Sequence, residues 1–524
     1  MSIADTFVES PIAPGAVSRS FSRARLAAAG LTLVMSLAAV AAFSASVQAW
    51  TPAAVVALPL VLLSAAWIAG GAATAILGLF HAAFEESDHP LPMQVTGRTA
   101  LLVTLCNEDA GPLAAYLQGL LPALDRAGIG GAARVFILSD TFQPERIAAE
   151  EAALAGLRAD GRVVYRRRDR NTGHKPGNIA EWLGTHGAGH DYMLVLDADS
   201  RMSAGRIARM ILRMETRPDI GLLQAGIALV PGRSRFGRHQ RLSARLLSPN
   251  FVRGFAALTG PSGNYWGHNA LIRTAAFRCA AHLPALPGAA PLGGPVLSHD
   301  FVEAAWIRRA GWSVALDPDL GGSAEDGPQT VEAFHRRDRR WCQGNLQHLR
   351  LLAEPGFDPV SRLHLASGAF SYLAAPVWLV LIVMIASGAV AVDGALPLAV
   401  VALLLLVPKL CALPRLMARA RTPRRRALVL RAGLGELVVS TLLAPLVMLR
   451  QSRSVAAILL GRDCGWKSGG ASAQPPRGLV ESAAGATLAG LALWSGPDAA
   501  LWLVPLVLPL LGAPLLLRWL DARP

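Results

Sequence analysis

Long apolar stretches begin and end the chain, and shorter apolar runs alternate with polar residues between them. A helix of about 20 apolar residues is long enough to cross the hydrocarbon core of a membrane. Six stretches approach that length, the fifth more weakly than the others: 26–47, 53–80, 365–386, 396–413, 480–494 and 501–517. The pattern predicts two spans before a polar middle region and four after it.

The stretch at 434–449 is ambiguous, because it could just cross a bilayer but contains Glu436 and Pro445. Lysine and arginine are concentrated on the cytosolic side of membrane proteins. They are frequent before the first span, from 415 to 431 and beyond 450, and are absent from three connections: 48–52, 388–395 and 495–499. If 434–449 crossed, two basic segments would lie on opposite sides. We therefore expect this stretch at the membrane interface or against a cytosolic domain, with both termini in the cytosol.

The composition limits the class of protein. With 52% hydrophobic and 16% charged residues among 524, the chain is too apolar for an ordinary soluble protein, which favours a membrane-embedded enzyme or carrier. The net charge of +14 does not indicate nucleic acid, because the densest basic run, 415–431, directly follows an apolar stretch. The five cysteines lack paired spacing, so neither a disulfide framework nor a zinc site is expected.

The polar middle region, 85–362, has the size of one α/β domain. Its apolar runs alternate with amphipathic ones such as 111–127. Four runs have the continuous apolar character of strands buried on both faces: 99–105, 133–138, 162–165 and 192–196. This pattern predicts a Rossmann-like, doubly wound and mostly parallel sheet. The predicted chain thus has three parts: a terminal segment with a two-helix hairpin (1–84), a cytosolic domain (85–362), and a transmembrane domain (363–524) with an interfacial segment at 414–479.

Polar side chains follow the predicted strands at their carboxyl ends. Asn107 and Glu108 follow the first strand, Asp140 the second, and Asp197 and Asp199 the fourth. Ligands of open α/β sheets bind beyond these ends, so we expect one acidic crevice. The two carboxylates of the Asp-Ala-Asp sequence could hold a divalent cation that bridges a diphosphate. A helix-capping pair is the alternative interpretation.

Two further polar groups have residue types suited to group transfer. Asp300 lies near the start of the amphipathic run 301–310, where it could take a proton from an acceptor hydroxyl; an N-cap aspartate is the alternative. Lys175 lies in the polar loop 174–178, where its charge could meet a phosphate or a nucleotide; a surface turn is the alternative.

The segment 336–341 contains four arginines and a tryptophan within six residues. Guanidinium groups match phosphate oxygens, and the face of an indole offers an apolar platform to a sugar ring. A diphosphate and a carbohydrate acceptor are therefore candidate ligands of this segment. The alternative is a solvated basic surface.

These motifs, in their order and spacing, resemble those of the processive glycosyltransferase family 2 enzymes that include cellulose synthase. The longer strings at 265–273, 297–305 and 336–346 resemble the glucans biosynthesis glucosyltransferase H subfamily, which makes osmoregulated periplasmic glucans. Two motifs depart from the wider family: the usual Gln-x-x-Arg-Trp begins here with Arg337, and the usual Thr-Glu-Asp is Ser298-His299-Asp300. Both departures disfavour cellulose or hyaluronan as the product.

The resemblance implies a GT-A fold for the cytosolic domain and a role for each matching position. Uridine or other parts of the nucleotide would be contacted by Asn107, Glu108, Asp140, Lys175 and Asp197. Asp199 would bind the metal, Mg²⁺ or Mn²⁺, and Asp300 would be the general base. The diphosphate and the incoming acceptor would be lined by Arg337, Arg340, Trp341, Tyr265, Trp266 and His268.

The same resemblance implies an inverting, processive reaction between cytosolic UDP-glucose and a growing β-glucan, coupled to export across the lipid bilayer of a bacterial inner membrane. It also implies a periplasmic glucan protein and an acyl carrier protein as candidate partners. The rival enzyme hypotheses are another β-polysaccharide synthase and a non-processive transferase to a lipid carrier. A transporter with a cytosolic regulatory domain is the rival from another class; it would need inverted repeats and intramembrane charges, and neither is evident in the sequence.

The stretch at 451–470 is basic, glycine-rich and, by the charge argument, cytosolic. It resembles, in position only, a loop that closes over bound nucleotide in cellulose synthases. Lys467 would then approach the UDP phosphates in a closed state. The alternative is an interfacial helix anchored by Trp466 and Lys467.

Overall fold

The computed structural model describes residues 19–81, 94–393, 395–464 and 478–523. Two apolar helices come first, α1 (Arg19–Ser46) and α2 (Pro52–Phe80). Thr51 begins α2 as its N-cap, because its hydroxyl accepts a hydrogen bond from the backbone N–H of Ala54. The next helices are α3 (Gly111–Arg126), α4 (Pro144–Arg158), α5 (His174–Thr185), α6 (Ala204–Thr216), α7 (Arg235–Thr259), α8 (Thr274–Phe277), α9 (His299–Arg309) and α10 (Val331–Gln347).

The last third of the chain is helical where it is described. Its helices are α11 (Pro359–Ala386), α12 (Leu396–Leu410), α13 (Leu413–Arg419), α14 (Pro423–Leu459), α15 (Leu479–Ser495), α16 (Pro497–Leu511) and α17 (Ala513–Asp521). The strands all lie in the middle region: β1 (Thr99–Leu105), β2 (Ala133–Ser139), β3 (Val163–Arg167), β4 (Tyr192–Asp197), β5 (Arg201–Met202), β6 (Ile220–Ala225), β7 (Ala228–Leu229), β8 (Ala270–Arg273), β9 (Ser313–Asp317) and β10 (Ser323–Glu325).

Seven strands form the main sheet in the order β3-β2-β1-β4-β8-β6-β9. β1 pairs in parallel with β2 and β4, β2 with β3, and β6 with β9, whereas β8 is antiparallel to both of its neighbours. The prediction of a mostly parallel sheet is confirmed, and the four predicted strands fall within two residues of their observed bounds. A small second sheet has the strand order β5-β10-β7. Its strand β5 follows β4 closely in the sequence.

The main sheet is buried on both faces because alternate residues of a strand point to opposite sides. Leu101 and Val103 of β1 belong to one apolar cluster, which includes Leu117 of α3. Leu102, between them, belongs to the other cluster with Trp182 of α5. All five side chains are almost fully buried. The apolar core therefore fixes the sheet and leaves its strand ends free to carry polar groups.

Among the described residues, five helical segments are long and apolar enough to cross a membrane: Arg23–Ser46, Pro52–Phe80, Pro359–Ala386, Leu396–Arg419 and Pro423–Leu459. A sixth candidate is the pair formed by α16 and α17, which is bent by 58°. The bend occurs at Gly512, next to Pro514, whose ring nitrogen cannot donate a helical hydrogen bond. The structure therefore agrees with about six spans, but the set differs from the predicted one.

Two predicted stretches differ from expectation. The stretch at 480–494 forms α15, which at 17 residues is shorter than the other candidates. The stretch at 434–449 is not a short element of its own but the middle of α14, a helix of 37 residues. Its apolar length is itself sufficient for a span. The interfacial placement made from charge bias stays a prediction.

The candidate spans contain charged side chains that form ion pairs. Glu436 of α14 is buried and lies 2.8 Å from the Lys409 ammonium of α12. Arg450 of α14 lies 2.6 Å from Glu481 of α15 and 3.3 Å from Glu332 of α10. These pairs could not be predicted from the sequence, because their partners are distant along the chain. Each buried charge is paired, as burial requires.

Backbone contact joins the first helical pair to the middle region. A Cβ atom built on Gly78 of α2 would lie 1.8 Å from the carbonyl oxygen of Asn250 in α7, and one on Gly254 would lie 1.8 Å from that of Thr74. The Asn250 amide also donates a hydrogen bond of 2.5 Å to the carbonyl of Cys411. Helix α7 therefore packs directly against α2 and is tied to the end of α12.

The end of α17 contacts the first turns of two other helices. The backbone N–H of Val331 in α10 donates to the Asp521 carboxylate at 2.9 Å. The backbone N–H of Arg235 in α7 donates to the carbonyl of Ala522 at 3.0 Å, and the Arg235 guanidinium lies over the Trp519 ring. Residues 519–522 thus satisfy helix N-termini that would otherwise lack partners.

We expect the substitution Gly78→Ala to lower the free energy of unfolding by about 2 kcal/mol, because the added methyl group would overlap the backbone of α7. Gly71→Ala is the matched control in the same helix, since nothing lies within 4 Å of its added Cβ. Thermal unfolding in detergent measures both. Equal melting temperatures for the two variants would contradict the close packing of α2 on α7.

Candidate active site

The crevice lies at the carboxyl ends of β1, β2 and β4, as the topology requires. Asp197 is the last residue of β4, and its carboxylate accepts a hydrogen bond of 3.2 Å from the Thr104 hydroxyl of β1. Lys175, in the first turn of α5, forms an ion pair with the same oxygen. Burial opposes ionisation, but Lys175 and His268 hold the pKa of Asp197 below its ordinary value. Asp197 is therefore a carboxylate that the protein already neutralises.

Asp199 has the opposite electrostatic environment. Burial, together with the neighbouring carboxylates of Asp197 and Glu325, raises its pKa to about 6. Glu325 of β10 lies 3.2 Å from His268. Although burial opposes it, the contact with Glu325 and the field of Asp197 raise the pKa of His268 to about 9, so this imidazole is a cation at neutral pH. Asp199 is thus the acidic group of the crevice that most lacks positive charge.

The charge of the whole group fits a divalent cation. Asp197 and Glu325 raise the pKa of Asp199, and Glu303 raises that of Asp300. Lys175 and His268 lower the pKa of Asp197, and His299 lowers that of Asp300. The described residues contain no group of three or more His, Cys, Asp or Glu side chains placed to hold a metal ion. Mg²⁺ typically binds one or two carboxylates together with substrate phosphates, so the Asp197–Asp199 pair is the candidate.

The segment 265–268 carries its side chains to the crevice beside Asp300. The buried Tyr265 hydroxyl donates to the carbonyl of Gly267 at 2.7 Å, and the backbone N–H of Trp266 donates to the Gln224 amide oxygen at 2.9 Å. Gly267 has a φ of 86° and lies against Asp300, so that a Cβ there would be 3.5 Å from the carboxylate. A residue with a side chain would be strained at this positive φ, so glycine suits the tight turn here.

Asp300 lies in the first turn of α9. Burial raises the pKa of its carboxyl, whereas the neighbouring His299 and the backbone N–H of Phe301 act in the opposite sense. The pKa of Tyr265 is raised well above its usual value by burial and by nearby Glu303, Asp300 and Asp197. Asp300 and Asp197 therefore face the same tyrosine from two different elements.

Helix α10 presents the arginine-tryptophan segment. The Arg337 guanidinium lies 4.5 Å from the centre of the Trp341 ring, and Trp341 is 47% exposed. Burial lowers the pKa of Arg340, and the nearby Glu108 acts in the opposite sense. Glu108, just after β1, and Arg340 of α10 are thus close enough to interact. An exposed indole flanked by arginines is left open to a ligand.

Asn107 and Asp140, two of the predicted nucleotide contacts, form hydrogen bonds within the protein. The Asn107 amide oxygen accepts hydrogen bonds from the backbone N–H groups of Phe142 and Gln143, at 3.1 and 3.2 Å. Both oxygens of Asp140 accept from the guanidinium of Arg168, at 2.7 and 2.9 Å. Arg168 was missed in the sequence, although it belongs to the basic run 166–170 directly after a predicted strand. Lys467 lies outside the described residues.

Helix α10 also supports the turn that carries Asp300, which the sequence did not reveal. A Cβ on Gly344 would lie 2.3 Å from the Ser298 hydroxyl, so the two backbones touch. The His348 ring lies 2.8 Å from the carbonyl of Ser298, and the Gln347 amide oxygen accepts from the backbone N–H of Leu297 at 2.9 Å. The last turns of α10 therefore hold the Asp300 turn, and Arg337 and Trp341 lie earlier in the same helix.

Comparisons with known proteins place this site in a family. The model of glycosyl transferase family 2 matches residues 102–280, and that of glycosyl transferase family group 2 matches 192–414. A glucans biosynthesis glucosyltransferase H from Xanthomonas campestris is 37% identical over 496 residues, which cover 86% of this chain and 76% of that protein. The chain belongs to the glucans biosynthesis glucosyltransferase H family. Its member from Rhodopseudomonas palustris is 40% identical over 82% of this chain, and the chain spans 64% of that member's length.

Among solved structures, the mannosyltransferase of Pyrobaculum calidifontis in complex with GDP-Man and Mn²⁺ is similar, with 16% identity and a TM-score of 0.40 over 72% of this chain and 97% of that one. The family, together with the mostly parallel sheet and the apolar helices on both sides of it, confirms the predicted GT-A-like fold. The prediction of a glycosyltransferase is confirmed at the level of the family.

We expect Arg168→Ala to lower the free energy of unfolding by about 3 kcal/mol, because it leaves the buried Asp140 carboxylate without its partner. Arg167→Ala is the matched control: its contact with Asp169 is exposed and should contribute less than about 1 kcal/mol. Chemical denaturation of the two variants measures the difference. If both variants unfold like the parent, the Asp140–Arg168 pair does not stabilise the domain.

Proposed function

We propose that this protein is an inverting, processive glucosyltransferase that moves glucose from cytosolic UDP-glucose to a growing β-glucan, the backbone of osmoregulated periplasmic glucans. The observation that carries the proposal is the juxtaposition of Asp300 with the Asp197–Asp199 pair, brought about by the segment 265–268. Membership of the glucans biosynthesis glucosyltransferase H family supports glucan synthesis. We also propose that UDP-glucose is the donor and that synthesis is processive.

Asp300 acts as the general base. A buried carboxylate with a raised pKa gains more from taking a proton than an exposed one. The acceptor hydroxyl loses its proton to Asp300 as its oxygen attacks the anomeric carbon of glucose. The bond from that carbon to the UDP oxygen breaks on the opposite face, so the configuration inverts and a β-linkage forms.

The leaving diphosphate is held by positive groups from two sides. Lys175 supplies a point charge at the end of β4, and Arg337 and Arg340 supply guanidinium groups from α10. A divalent cation, Mg²⁺ or Mn²⁺, would be held by Asp199 and would neutralise charge on the diphosphate. Trp341 offers its exposed ring to the acceptor end of the glucan. Asn107 and Asp140 shape the nucleotide end through the loop contacts and the ion pair that they form.

The enzyme is proposed to lie in a bacterial inner membrane with both termini in the cytosol, and to pass the glucan outward between its membrane helices. Contacts between the site and these helices support the coupling, since Glu332 of α10 shares Arg450 with Glu481. The periplasmic glucan protein and the acyl carrier protein remain predictions from the family resemblance.

We expect Asp300→Asn to lower the rate of UDP release by roughly 100-fold or more, because the amide cannot take the acceptor proton. Binding of UDP should remain near the parental value, since size and polarity are kept. The measurement uses purified protein in liposomes with UDP-glucose, together with linkage analysis of the product. Asp169→Asn, at an exposed position, is the control and should act like the parent.

The same assay separates the rival hypotheses. Soluble β-glucan from the parent supports the proposal, whereas a glycolipid would indicate non-processive transfer to a lipid carrier. Absence of any product would favour a transporter. Parental turnover in Asp300→Asn would exclude Asp300 as the base.

Removal of the carboxylate at Asp199 should abolish the dependence of UDP affinity on Mg²⁺. In the parent, added Mg²⁺ is expected to tighten UDP binding, because the carboxylates of Asp197 and Glu325 repel that of Asp199, which can share a cation with the diphosphate. In Asp199→Asn the affinities with and without Mg²⁺ should converge. Calorimetric titration with UDP makes the comparison; a variant that keeps the parental Mg²⁺ effect would show that the cation binds elsewhere.

A further inference from the structure

A buried ion pair lies one residue away from Asp300 and has no place in the mechanism described above. His299 Nδ1 lies 3.0 Å from Glu303 Oε2, one helical turn further along α9. The two side chains are 12% and 2% exposed. A buried glutamate is costly unless a cation faces it, and a buried imidazole is normally neutral. Each of these residues therefore makes the charge of the other tolerable.

The surroundings of the pair contain no cation that could replace His299 among the described groups that act on it. Lys175 of α5 is in range, but it is already paired with Asp197. Tyr265 also faces Glu303 and Asp300, and His348 lies close by, stacked on Phe301. Burial lowers the pKa of His348 to about 4, so this ring is neutral at neutral pH. The charge next to Asp300 therefore comes from His299.

We propose that Glu303 and His299 are positioning residues: Glu303 holds His299 as an imidazolium, and this imidazolium keeps the adjacent Asp300 carboxylate ionised until the acceptor arrives. The inference rests on the proposed role of Asp300 as the base. It deepens that role by stating what sets the proton affinity of the base.

The direction in which His299 and Glu303 shift the pKa of Asp300 follows from their charges. Burial raises the pKa of Asp300, His299 lowers it, and Glu303 raises it by a smaller effect than that of His299. Although burial opposes it, Glu303 is the main reason that the pKa of His299 is raised. Without Glu303, burial would leave the imidazole neutral, so Asp300 would lose both neighbouring charges. Without His299 alone, Asp300 would keep the repulsion from Glu303 and lose the attraction.

The test is the pH dependence of kcat, in membranes supplied with saturating UDP-glucose. A base must be ionised to act, so the acid limb of the profile lies at the pKa of Asp300 in the enzyme–substrate complex. We expect His299→Gln to move this limb upward by about one pH unit, as loss of an adjacent opposite charge requires. Activity then falls below the parental value at low pH and recovers as the pH rises.

Glu303→Gln and the double variant give a second, independent prediction. Both remove the two charges together, so both should move the acid limb upward by the same amount, and by less than His299→Gln does. The double variant thus recovers part of the activity at low pH that His299→Gln loses. If His299→Gln fails to fold, the shared upward shift of the other two variants still tests the proposal.

A purely structural pair predicts a different result. In that case the variants lower the melting temperature while the acid limb stays at its parental pH, and this outcome overturns the proposal. An acid limb that moves downward in His299→Gln overturns it as well. Failure of the proposed function looks different again, since Asp300→Asn would then keep parental turnover whatever the variants at 299 and 303 do.

Discussion

Repulsion between buried carboxylates is the constraint on which the rest of the site depends. The topology of the sheet brings Asp197 to a strand end, and the small second sheet and α9 add Glu325, Asp300 and Glu303 around it. In a medium of low dielectric constant such a group cannot stay ionised without opposing charge. Lys175 and His268 lower the pKa of Asp197, whereas the pKa of Asp199 stays raised. A diphosphate with its metal ion would complete the balance, so the site gains its final stability from the substrate.

Helix α10 connects the candidate site with the membrane helices. Gly344 and His348 touch the backbone of Ser298, Arg337 stacks on the exposed Trp341, and Glu332 contacts Arg450. A displacement of this one helix would therefore move the Asp300 turn, the arginine-tryptophan segment and the contacts with the membrane helices together.

The sequence was sufficient for the parts of the fold that follow from local pattern. The strands of β1 and β4 are continuous apolar runs, and their polar ends predict the crevice because parallel strands end on one edge. Contacts between distant segments could not be predicted in this way. Arg168 on Asp140 and Arg450 between two glutamates depend on tertiary packing that no single window contains. The unbroken length of α14 could not be predicted either, because Glu436 and Pro445 lie within it.

The contacts of residues 519–522 have a consequence for biosynthesis. Backbone N–H groups in the first turns of α7 and α10 donate hydrogen bonds to Ala522 and Asp521, and Asp521 follows Val331 by 190 positions. While the ribosome is still translating the later membrane helices, both turns lack these partners. The middle region can form its sheet early, but the first turns of α7 and α10 gain their final contacts only after the last membrane helices have been inserted. A nascent chain would therefore be kept from full activity until its membrane helices are in place.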